Sequence, residues 1–281
     1  MDNAFWSWWQ QLPAKMDPVI FQIGGFKLQY YGLMYIVAFG VTYALVCWRL
    51  KNETRWSLSR DHLHGLISAM IIGLIIGARL GYVVFYHAGY YWRHPLEIIL
   101  PFSFEGGLHF TGIAGMSYHG GLLCTIAAAW WYIRKNDLDF REMADLIVPC
   151  GPLAYTFGRL GNFINTELWG RATTMPWGMY FPAAGPLPRH PSQLYEAFGE
   201  GIVLFLILWP LRNKFKTPGA MLALYLMGYG TIRFIIEFFR QPDDHLGFVL
   251  LSLSMGQLLC GVMIFAGVLI YALFSRNPAS S

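Results

Sequence analysis

The sequence predicts an all-α polytopic membrane protein with about seven transmembrane helices, an external N-terminus, a cytoplasmic C-terminus and a small extracytoplasmic head. Hydrophobic residues make up 56% of the 281 residues and charged residues only 13%, and the mean hydropathy is +0.42. A soluble domain usually carries about 25% charged residues. The aromatic content of 17% suits the belts that aromatic residues form at membrane interfaces. No linker or low-complexity segment divides the chain, so we expect one membrane domain over 1–281.

Seven apolar runs are candidates for the membrane spans, because a helix needs about 20 apolar residues to cross a bilayer core. The third, fourth and fifth runs are shorter than that, so their ends must include flanking polar residues. In chain order the runs are 28–48, 63–86, 120–133, 143–157, 197–211, 219–239 and 254–274.

The distribution of basic residues supports a count of seven and sets the orientation. Loops rich in Lys and Arg stay in the cytoplasm. Basic residues follow the first, third, fifth and seventh runs, which places all of them on one side. They are Arg49, Lys51, Arg55, Arg60, Arg134, Lys135, Arg141, Arg212, Lys214, Lys216 and Arg276. The longest polar stretches, 90–118, 158–196 and 241–250, then face the extracytoplasmic side.

Two segments outside the spans have a distinct composition. Residues 1–27 contain Phe5, Trp6, Trp8 and Trp9, which predicts an interfacial arm whose indoles rest at the level of the lipid headgroups. A bland surface helix is the alternative. The N-terminus has no basic region, so we do not expect a cleavable signal peptide. Residues 171–190 are rich in Pro and Gly and predict a small extracytoplasmic lid of turns and short strands.

Several function classes are disfavoured by composition. The four cysteines lie in or beside apolar runs with no metal-ligand spacing, so we interpret them as small, buried apolar residues and predict no metal site. The net charge of +4 is small and scattered, which argues against nucleic-acid binding. Motifs typical of serine hydrolases, zinc proteases and P-loop enzymes are absent from the sequence.

The stretch 158–170 carries an unusual set of polar residues next to an apolar segment. Arg159, Asn162, Asn165 and Glu167 stand there among glycines and large apolar residues. Charged and amide side chains are costly at membrane depth and are usually functional or mutually paired. Arg159 is therefore where we expect an anion to bind.

A second polar stripe lies in the sixth run. Tyr225, Tyr229, Arg233 and Glu237 recur every four residues and so share one helix face, and Arg240 follows. Such a stripe more often lines a cavity than faces lipid. In a purely structural alternative, Arg and Glu neutralise each other. Because Glu237 can pair with Arg240, we expect Arg233 to stay free for a ligand.

Three further positions are candidates with structural alternatives. Arg79 lies among Gly73, Gly77 and Gly81, whose spacing predicts close helix packing, and it can be a second cation near the anion or a structural residue. His119 precedes two glycines at the start of the third run, so it can be a general base or a hydrogen-bonded residue. Ser192 is a plausible N-cap of the fifth run.

The segment 158–170 resembles the signature G-R-L-G-N-F-I-N-x-E-x-x-G of the prolipoprotein diacylglyceryl transferases. The resemblance extends along nearly the whole chain. Further matching pieces are D-P-V-I-F at 17–21, Y-G-L-M-Y at 31–35, G-x-R-L-G-Y-V at 77–83, H-G-G at 119–121, L-P-R-H-P-S-Q-L-Y-E at 187–196 and R-x-x-x-E-F-F-R-Q-P-D at 233–243. The segment before H-G-G is longer here than the compact form familiar in that family.

The resemblance implies an integral enzyme of the bacterial cytoplasmic (inner) membrane. Such enzymes transfer the diacylglyceryl group of phosphatidylglycerol to the lipobox cysteine of a prolipoprotein signal peptide. A thioether forms, glycerol phosphate leaves, and no cofactor is needed; this is the first step of lipoprotein maturation. Arg159 matches the family's phosphatidylglycerol-binding arginine. Other matching positions implicated in binding or catalysis are Asn162, Glu167, Arg233, Tyr31, Tyr229 and His119.

That reaction requires groups that bind the phosphate, orient the headgroup and accept the thiol proton, and we assign these roles as hypotheses. Arg159, with Arg233 as a second clamp and Arg240 nearby, would hold the phosphate, since guanidinium groups bind phosphate oxygens bidentately. Asn162 and Tyr31 would orient the headgroup. His119 or Tyr229 would accept the thiol proton, and we favour His119 because tyrosinate is scarce at neutral pH.

Two other function classes use the same residues. A transporter or channel for an anionic lipid or solute would also need arginines at membrane depth, but it typically shows an internal repeat, and we detect none in the sequence. A non-catalytic lipid-binding scaffold is the other alternative. Thioether formation on a model prolipoprotein discriminates between these classes.

Overall fold

The structure is a computed structural model that describes residues 2–23, 26–86, 88–98, 102–103, 109–110, 117–215, 217–241, 248–250 and 253–276. The helices are α1 Asp2–Gln10, α2 Tyr30–Asn52, α3 Arg60–Tyr86, α4 Ala88–Arg93, α5 Tyr118–Lys135, α6 Phe140–Ile147, α7 Gly151–Ile164, α8 Ser192–Glu196, α9 Leu204–Leu211, α10 Ala220–Ile236 and α11 Met255–Arg276. A π-helical stretch, Ala197–Val203, joins α8 to α9 without a break.

Within the described ranges, short strands form three antiparallel pairs. The strands are β1 Val19–Ile23 with β2 Phe26–Gln29, β3 Phe102–Ser103 with β4 His109–Phe110, and β5 Phe248–Leu250 with β6 Leu253–Ser254. Turns of 3₁₀-helix occur at Pro13–Lys15, Pro95–Ile98, Val148–Cys150 and Pro182–Ala184. The predicted all-α character is therefore confirmed, with only small strand pairs added.

Four helices within the described residues are long and apolar enough to cross a membrane. They are Tyr30–Asn52, Arg60–Val84, Ser192–Leu211 and Met255–Leu273, and Ala220–Ile236 is a shorter apolar helix. Many of their large apolar side chains are exposed, including Ile36, Phe39 and Phe265. Exposed apolar helices of this length are expected for a protein that contacts lipid. The count of seven spans stays a prediction.

Two predicted helix boundaries differ from the structure by five residues or more. The fourth run does not end at residue 157: α6 stops at Ile147, Pro149 lies in a 3₁₀ turn, and α7 continues to Ile164. Proline has no backbone N–H to donate, so it suits the break between the two helices. The fifth helical segment begins at Ser192, five residues earlier than predicted, because Pro191 precedes it as the N-cap.

The chain forms two compact units, and the larger contains Met1–Thr54 and Arg141–Ser281. In this unit α7 packs closely on both α2 and the π-helical stretch. A Cβ on Gly161 would lie 3.3 Å from Met34 Cβ, and a Cβ on Gly201 would collide with the Thr156 hydroxyl. Small residues at these points let the helices approach. The Thr156 hydroxyl donates to the Ala197 carbonyl at 3.2 Å.

A largely buried ionic cluster lies in the larger unit. Arg49 is fully buried and donates to the carbonyls of Asp145 and Leu146 at 2.8 and 2.6 Å. Its guanidinium also pairs with Glu53 at 3.0 Å, and Glu53 accepts a second pair from Arg212 at 3.0 Å. Burial favours the protonated form of Glu53, but the two arginines outweigh it and lower its pKa below the ordinary 4.5.

The Asp145 carboxylate caps the start of α10. It accepts hydrogen bonds from the backbone N–H groups of Gly219, Met221 and Leu222 at 2.9, 3.0 and 3.1 Å. The first N–H groups of a helix have no partner within the helix and carry a partial positive charge. Asp145 therefore supplies both acceptors and a negative charge from a different helix, α6.

Helix α1 attaches to the region 171–190 within the same unit. The Trp9 indole donates to the Trp177 carbonyl, the Gln10 amide donates to the Pro176 carbonyl, and the Tyr180 N–H donates to the Gln10 carbonyl, at 2.9, 2.9 and 2.8 Å. A small apolar core of Phe163, Met179 and Phe181 lies below, with Trp9, Leu12, Met16, Trp169, Ala184 and Leu194 packed against it. The first helix is thus fixed to a segment far along the chain.

The smaller unit, Arg55–Phe140, is built on the pairing of α3 with α5. A Cβ on Gly73 would lie 2.6 Å from the Cys124 carbonyl oxygen, and a Cβ on Gly81 would lie 2.8 Å from Gly120 Cα. The close helix approach predicted from these glycines is therefore confirmed. Arg79 donates to the backbone carbonyls of Glu97 and Ile98 within this unit, which favours its structural interpretation.

Candidate functional site

Three arginines of the larger unit converge on one buried carboxylate. Glu196, at the end of α8, has no exposed surface. Its Oε2 lies 2.8 Å from Arg159 Nε and 3.2 Å from Arg233 NH1, and its Oε1 lies 2.8 Å from Arg240 NH1. Arg159 comes from α7, Arg233 from α10, and Arg240 from just beyond α10. The predicted proximity of Arg159 and Arg233 is thus present in the structure.

Two further carboxylates complete this arginine cluster. Arg233 NH1 lies 3.4 Å from Glu200 Oε1, and its NH2 lies 3.1 Å from Glu237 Oε2. Arg240 Nε lies 3.6 Å from the same Glu237 oxygen. Three guanidinium groups therefore face three carboxylates. The expectation that Arg233 stays free is wrong, because the fifth helical segment brings Glu196 and Glu200, one helical turn apart, against it.

The arginine side chains nevertheless keep some exposure. The exposed fractions are 20% for Arg159, 14% for Arg233 and 16% for Arg240, against zero for Glu196 and Glu200. Glu196 and Glu200 are therefore less accessible than the three arginine side chains, and Glu237, at 8%, is also less exposed than they are. A ligand that reaches this cluster meets arginine side chains before Glu196 and Glu200.

A hydrogen-bonded chain runs from the cluster through the signature segment. Arg159 NH1 donates to Asn162 Oδ1 at 3.1 Å, and Asn162 Nδ2 donates to Glu167 Oε1 at 2.7 Å. Residues 159 and 162 share a face of α7 because they are three apart. The predicted trio of Arg159, Asn162 and Glu167 is therefore brought together, with Asn162 as the link.

Glu167 lies in a turn with unusual backbone angles. Thr166 and Leu168, on either side of it, have φ of 53° and 59°. The Gln193 side-chain amide donates to the Glu167 carbonyl, and the Ser192 hydroxyl donates to the Leu168 carbonyl at 3.0 Å. Ser192 is thus the first residue of α8 and binds this turn; the prediction that it caps the helix is wrong.

The turn ends at Gly170, which has no room for a side chain. Its N–H donates to the His190 carbonyl at 2.8 Å, and Gly170 pairs with Arg240 in an isolated β-bridge. A Cβ here would lie 2.8 Å from His190 Cβ and would collide with the Phe239 carbonyl. Gly170 thereby ties the signature segment to the chain that carries Arg240.

Next to Gly170, the His190 imidazole is hydrogen-bonded to the Tyr195 hydroxyl. Trp177 Nε1 donates to the Tyr195 hydroxyl at 2.9 Å, and that hydroxyl lies 3.1 Å from His190 Nδ1. Since the Tyr195 oxygen already accepts, its proton is available to His190 Nδ1. His190 Nδ1 can accept that proton only when the imidazole is neutral. Burial lowers the pKa of His190 below its ordinary value, which favours the neutral imidazole.

Tyr155 borders the arginine cluster, with its ring centroid 4.7 Å from the Arg159 guanidinium carbon, and further tyrosines lie on α10 and α2. The Tyr155 hydroxyl donates to Glu196 Oε2 at 3.3 Å, and the Tyr155 ring meets the Tyr229 ring edge-on at 6.0 Å. Tyr225 and Tyr229 stack at 5.6 Å, as their shared helix face predicts. Tyr31 packs on α7, where a Cβ on Gly161 would lie 3.3 Å from its ring, and its hydroxyl lies 3.0 Å from that of Tyr35.

His119 belongs to the smaller unit. It is the second residue of α5, after the N-cap Ser117, whose hydroxyl accepts from the Gly120 N–H at 3.3 Å. Its side chain lies outside the described part of the structure, as do residues 104–108 and 111–116 of the longer segment before it. The role of His119 as a base stays a prediction.

No site role for Glu196, Glu200 or Gln193 follows from the sequence, and Ser192 was expected only as an N-cap. The available signal was the pair of carboxylates four residues apart in an apolar run, which is rare at membrane depth. The cysteines also differ in part from expectation: Cys150 and Cys260 are buried, whereas Cys47 and Cys124 are half-buried.

Comparison with known proteins agrees with the geometry. Residues 18–273 match the family model described as prolipoprotein diacylglyceryl transferase. A phosphatidylglycerol–prolipoprotein diacylglyceryl transferase of Chlorobaculum tepidum is 51% identical over 266 residues, which cover 94% of this chain and 92% of that protein. Proteins of the same name from Idiomarina loihiensis and Paracidovorax citrulli are 45% and 43% identical, covering 95% and 94% of this chain and 95% and 97% of their own. Since the match spans almost the whole chain, including the arginine cluster and the signature segment, this chain belongs to the prolipoprotein diacylglyceryl transferase family.

Proposed function

We propose that this protein transfers the diacylglyceryl group of phosphatidylglycerol to the thiol of a lipobox cysteine in a prolipoprotein signal peptide. The main structural support is the convergence of Arg159, Arg233 and Arg240 on Glu196. Asn162 and Glu167 lie next to this cluster. The printed names of the relatives state both substrates. The same comparisons do not favour a transporter or channel.

The reaction breaks one C–O bond of the lipid and forms one C–S bond. The cysteine sulfur attacks the glyceryl carbon that bears the phosphate oxygen, and the electron pair of the C–O bond leaves with glycerol phosphate. The thiol proton passes to a base. The phosphate gains negative charge as it leaves, so the main demand on the protein is to stabilise developing charge.

The arginine cluster meets that demand from a prearranged position. Glu196 fixes three guanidinium groups around one point, and they retain exposed surface for phosphate oxygens. Preorganised donors in a site of low polarity need little rearrangement during the reaction, and losing one typically costs about 3–4 kcal/mol of barrier. Arg159 and Arg233 act as the clamp, and Arg240 supports them.

The remaining polar groups orient the lipid and remove the proton. Asn162 and Tyr31 orient the headgroup, and Glu167 holds Asn162. His119 accepts the thiol proton in the favoured assignment, because an imidazole titrates near neutral pH. Tyr229 is the second candidate, since its ring lies against Tyr155 beside the arginine cluster.

The placement in the cell follows from the same reaction. Seven spans with an external N-terminus put the arginine cluster on the extracytoplasmic side of the bacterial inner membrane, where signal peptides emerge. Residues 1–27 form an interfacial arm and 171–190 a lid. The bonds from Trp9 and Gln10 to the lid region support a joint role at the headgroup level.

The deciding experiment is transfer with purified components. Phosphatidylglycerol labelled in its diacylglyceryl part is mixed with the protein and a lipobox peptide, and thioether formation is followed by mass spectrometry. The wild-type chain should modify the peptide, and Arg159→Ala should lose at least about a hundredfold in rate. Arg134→Ala, at an exposed position over the Trp130 ring, is the matched control.

The outcomes separate the alternatives. Full activity of Arg159→Ala removes its role as clamp. A purified wild-type protein that binds phosphatidylglycerol but forms no thioether supports a lipid-binding scaffold instead. For the base, His119→Gln that keeps the full rate across neutral pH would leave Tyr229 as the candidate.

A further inference from the structure

We propose that Gln193 and Ser192 are positioning residues, which clamp a strained turn so that Glu167 holds Asn162 against Arg159. The inference rests on the proposed transfer reaction and assigns to these residues a role in its substrate site. Neither side chain is placed in contact with the lipid.

The strain is visible in the backbone on both sides of Glu167. Thr166 and Leu168 have φ of 53° and 59°, in the left-handed region. Residues with a Cβ seldom adopt this region, and a β-branched residue such as Thr does so least. Such conformations persist only where the surroundings enforce them, and they cluster at functional sites. Something must therefore hold this turn.

Two adjacent residues of α8 bind its carbonyl groups. The Gln193 amide donates to the Glu167 carbonyl, and the Ser192 hydroxyl donates to the Leu168 carbonyl at 3.0 Å. Both side chains are fully buried. The turn also closes on itself, because the Glu167 N–H donates to the Asn162 carbonyl at 3.1 Å. Two consecutive carbonyls are thus fixed from outside the turn.

The Gln193 amide is used only as a donor. Its Oε1 is buried and accepts no hydrogen bond from any residue that the structure describes. Leaving a buried acceptor unsatisfied costs stability. Turning the amide over would place this oxygen against the Glu167 carbonyl oxygen, which is worse. The side chain therefore gives up one hydrogen bond to bind the turn.

The consequence of the clamp reaches the arginine cluster through two hydrogen bonds. Glu167 Oε1 accepts from Asn162 Nδ2 at 2.7 Å, and Asn162 Oδ1 accepts from Arg159 NH1 at 3.1 Å. If the turn relaxed, the Glu167 carboxylate would leave Asn162, and the Asn162 amide would be free to rotate. Arg159 would then lose the partner that sets the direction of NH1.

The test replaces Gln193 by Met, which has similar length and no donor. In the purified full-length chain, kcat/KM for phosphatidylglycerol should fall about tenfold, as expected when a buried carbonyl loses its donor. Hydrogen exchange of the amides at 166–168 should become faster. Ser192→Ala, a smaller change, should shift both readouts in the same direction.

Strain relief separates a clamp from simple packing. Leu168 is 47% exposed, so glycine there removes few contacts and readily adopts the positive φ. Gln193→Met/Leu168→Gly should therefore regain most of the lost kcat/KM. Leu187→Gly, at a side chain 57% exposed outside the turn, should restore nothing in the same background.

The two proposals fail in different ways. Unchanged exchange at 166–168 in both Gln193→Met and Ser192→Ala would overturn the clamp, as would absence of rescue by Leu168→Gly. An inactive wild-type chain whose exchange still accelerates on Gln193→Met would overturn the transfer reaction and leave the clamp in place.

Discussion

Arg159 and Arg233 are held by the same atom, Oε2 of Glu196, at 2.8 and 3.2 Å. The two arginines belong to different helices, α7 and α10. A single carboxylate thus sets the spacing of two guanidinium groups from different helices. Arg240, on the other oxygen of Glu196, completes the arrangement at 2.8 Å.

Glu196→Gln should lower both stability and activity. The neutral amide leaves three guanidinium groups with two carboxylates, and breaking a buried ion pair typically costs about 3–5 kcal/mol. We expect a lower Tm in detergent and a kcat/KM for phosphatidylglycerol reduced by at least about tenfold. Glu196→Asp keeps the charge and should be less affected in Tm. A Gln variant as stable as the Asp variant would contradict the role of the charge.

Gly170→Ala should disable the protein, whereas Gly158→Ala should not. The new Cβ at 170 meets the Phe239 carbonyl and His190, so the link between the signature segment and Arg240 must shift. At Gly158 no atom lies within 4 Å of the new Cβ, and alanine favours a helix by about 1 kcal/mol over glycine. Transfer activity and Tm of the two variants, measured side by side, check this contrast. Equal effects would contradict it.

Asp145→Asn should destabilise α10 while leaving the functional side chains of that helix in place. The amide offers one acceptor where the carboxylate serves three N–H groups, and it lacks the charge that suits a helix N-terminus. The expected loss is about 1–2 kcal/mol. Asp137→Asn is the matched control, because Asp137 is exposed and has φ of 52°, which Asn tolerates. A smaller loss of Tm for Asp145→Asn than for the control would refute this account.

The ionisation of Glu53 should make the folding stability depend on pH in the acid range. Its pKa is lowered because Arg49 and Arg212 outweigh the effect of burial, so the folded chain binds the proton less tightly than the unfolded chain. Its contribution is complete above the ordinary pKa of 4.5 and is lost as pH falls through the lowered value. The Tm difference between wild type and Glu53→Gln should therefore shrink with acidification. A difference independent of pH below neutrality would argue against it.

The sequence predicted much of the helical framework and many site residues, for a local reason. A helix at each apolar run follows from hydropathy, and the shared face of Tyr225, Tyr229 and Arg233 follows from helical spacing. Arg159 stood out because charge is rare in apolar segments. These signals are contained in short windows of the chain, so they could be read without coordinates.

The partners of those residues could not be predicted in the same way. Glu196 lies 37 positions from both Arg159 and Arg233, and nothing local states that it binds both. Arg233 was expected to be unpaired because Glu237 is the only carboxylate close to it in the sequence. The left-handed angles at Thr166 and Leu168 also escape prediction, since neither residue is one that favours them.

The attachment of α1 has a consequence during synthesis. Trp9 bonds to Trp177, which is 168 positions later in the chain. A ribosome adds about 5–20 residues per second, so the first helix waits on the order of ten seconds before its binding surface exists. Throughout that interval its tryptophans must rest on another surface, and the headgroups of the bilayer are the nearest one available to an amphipathic nascent segment.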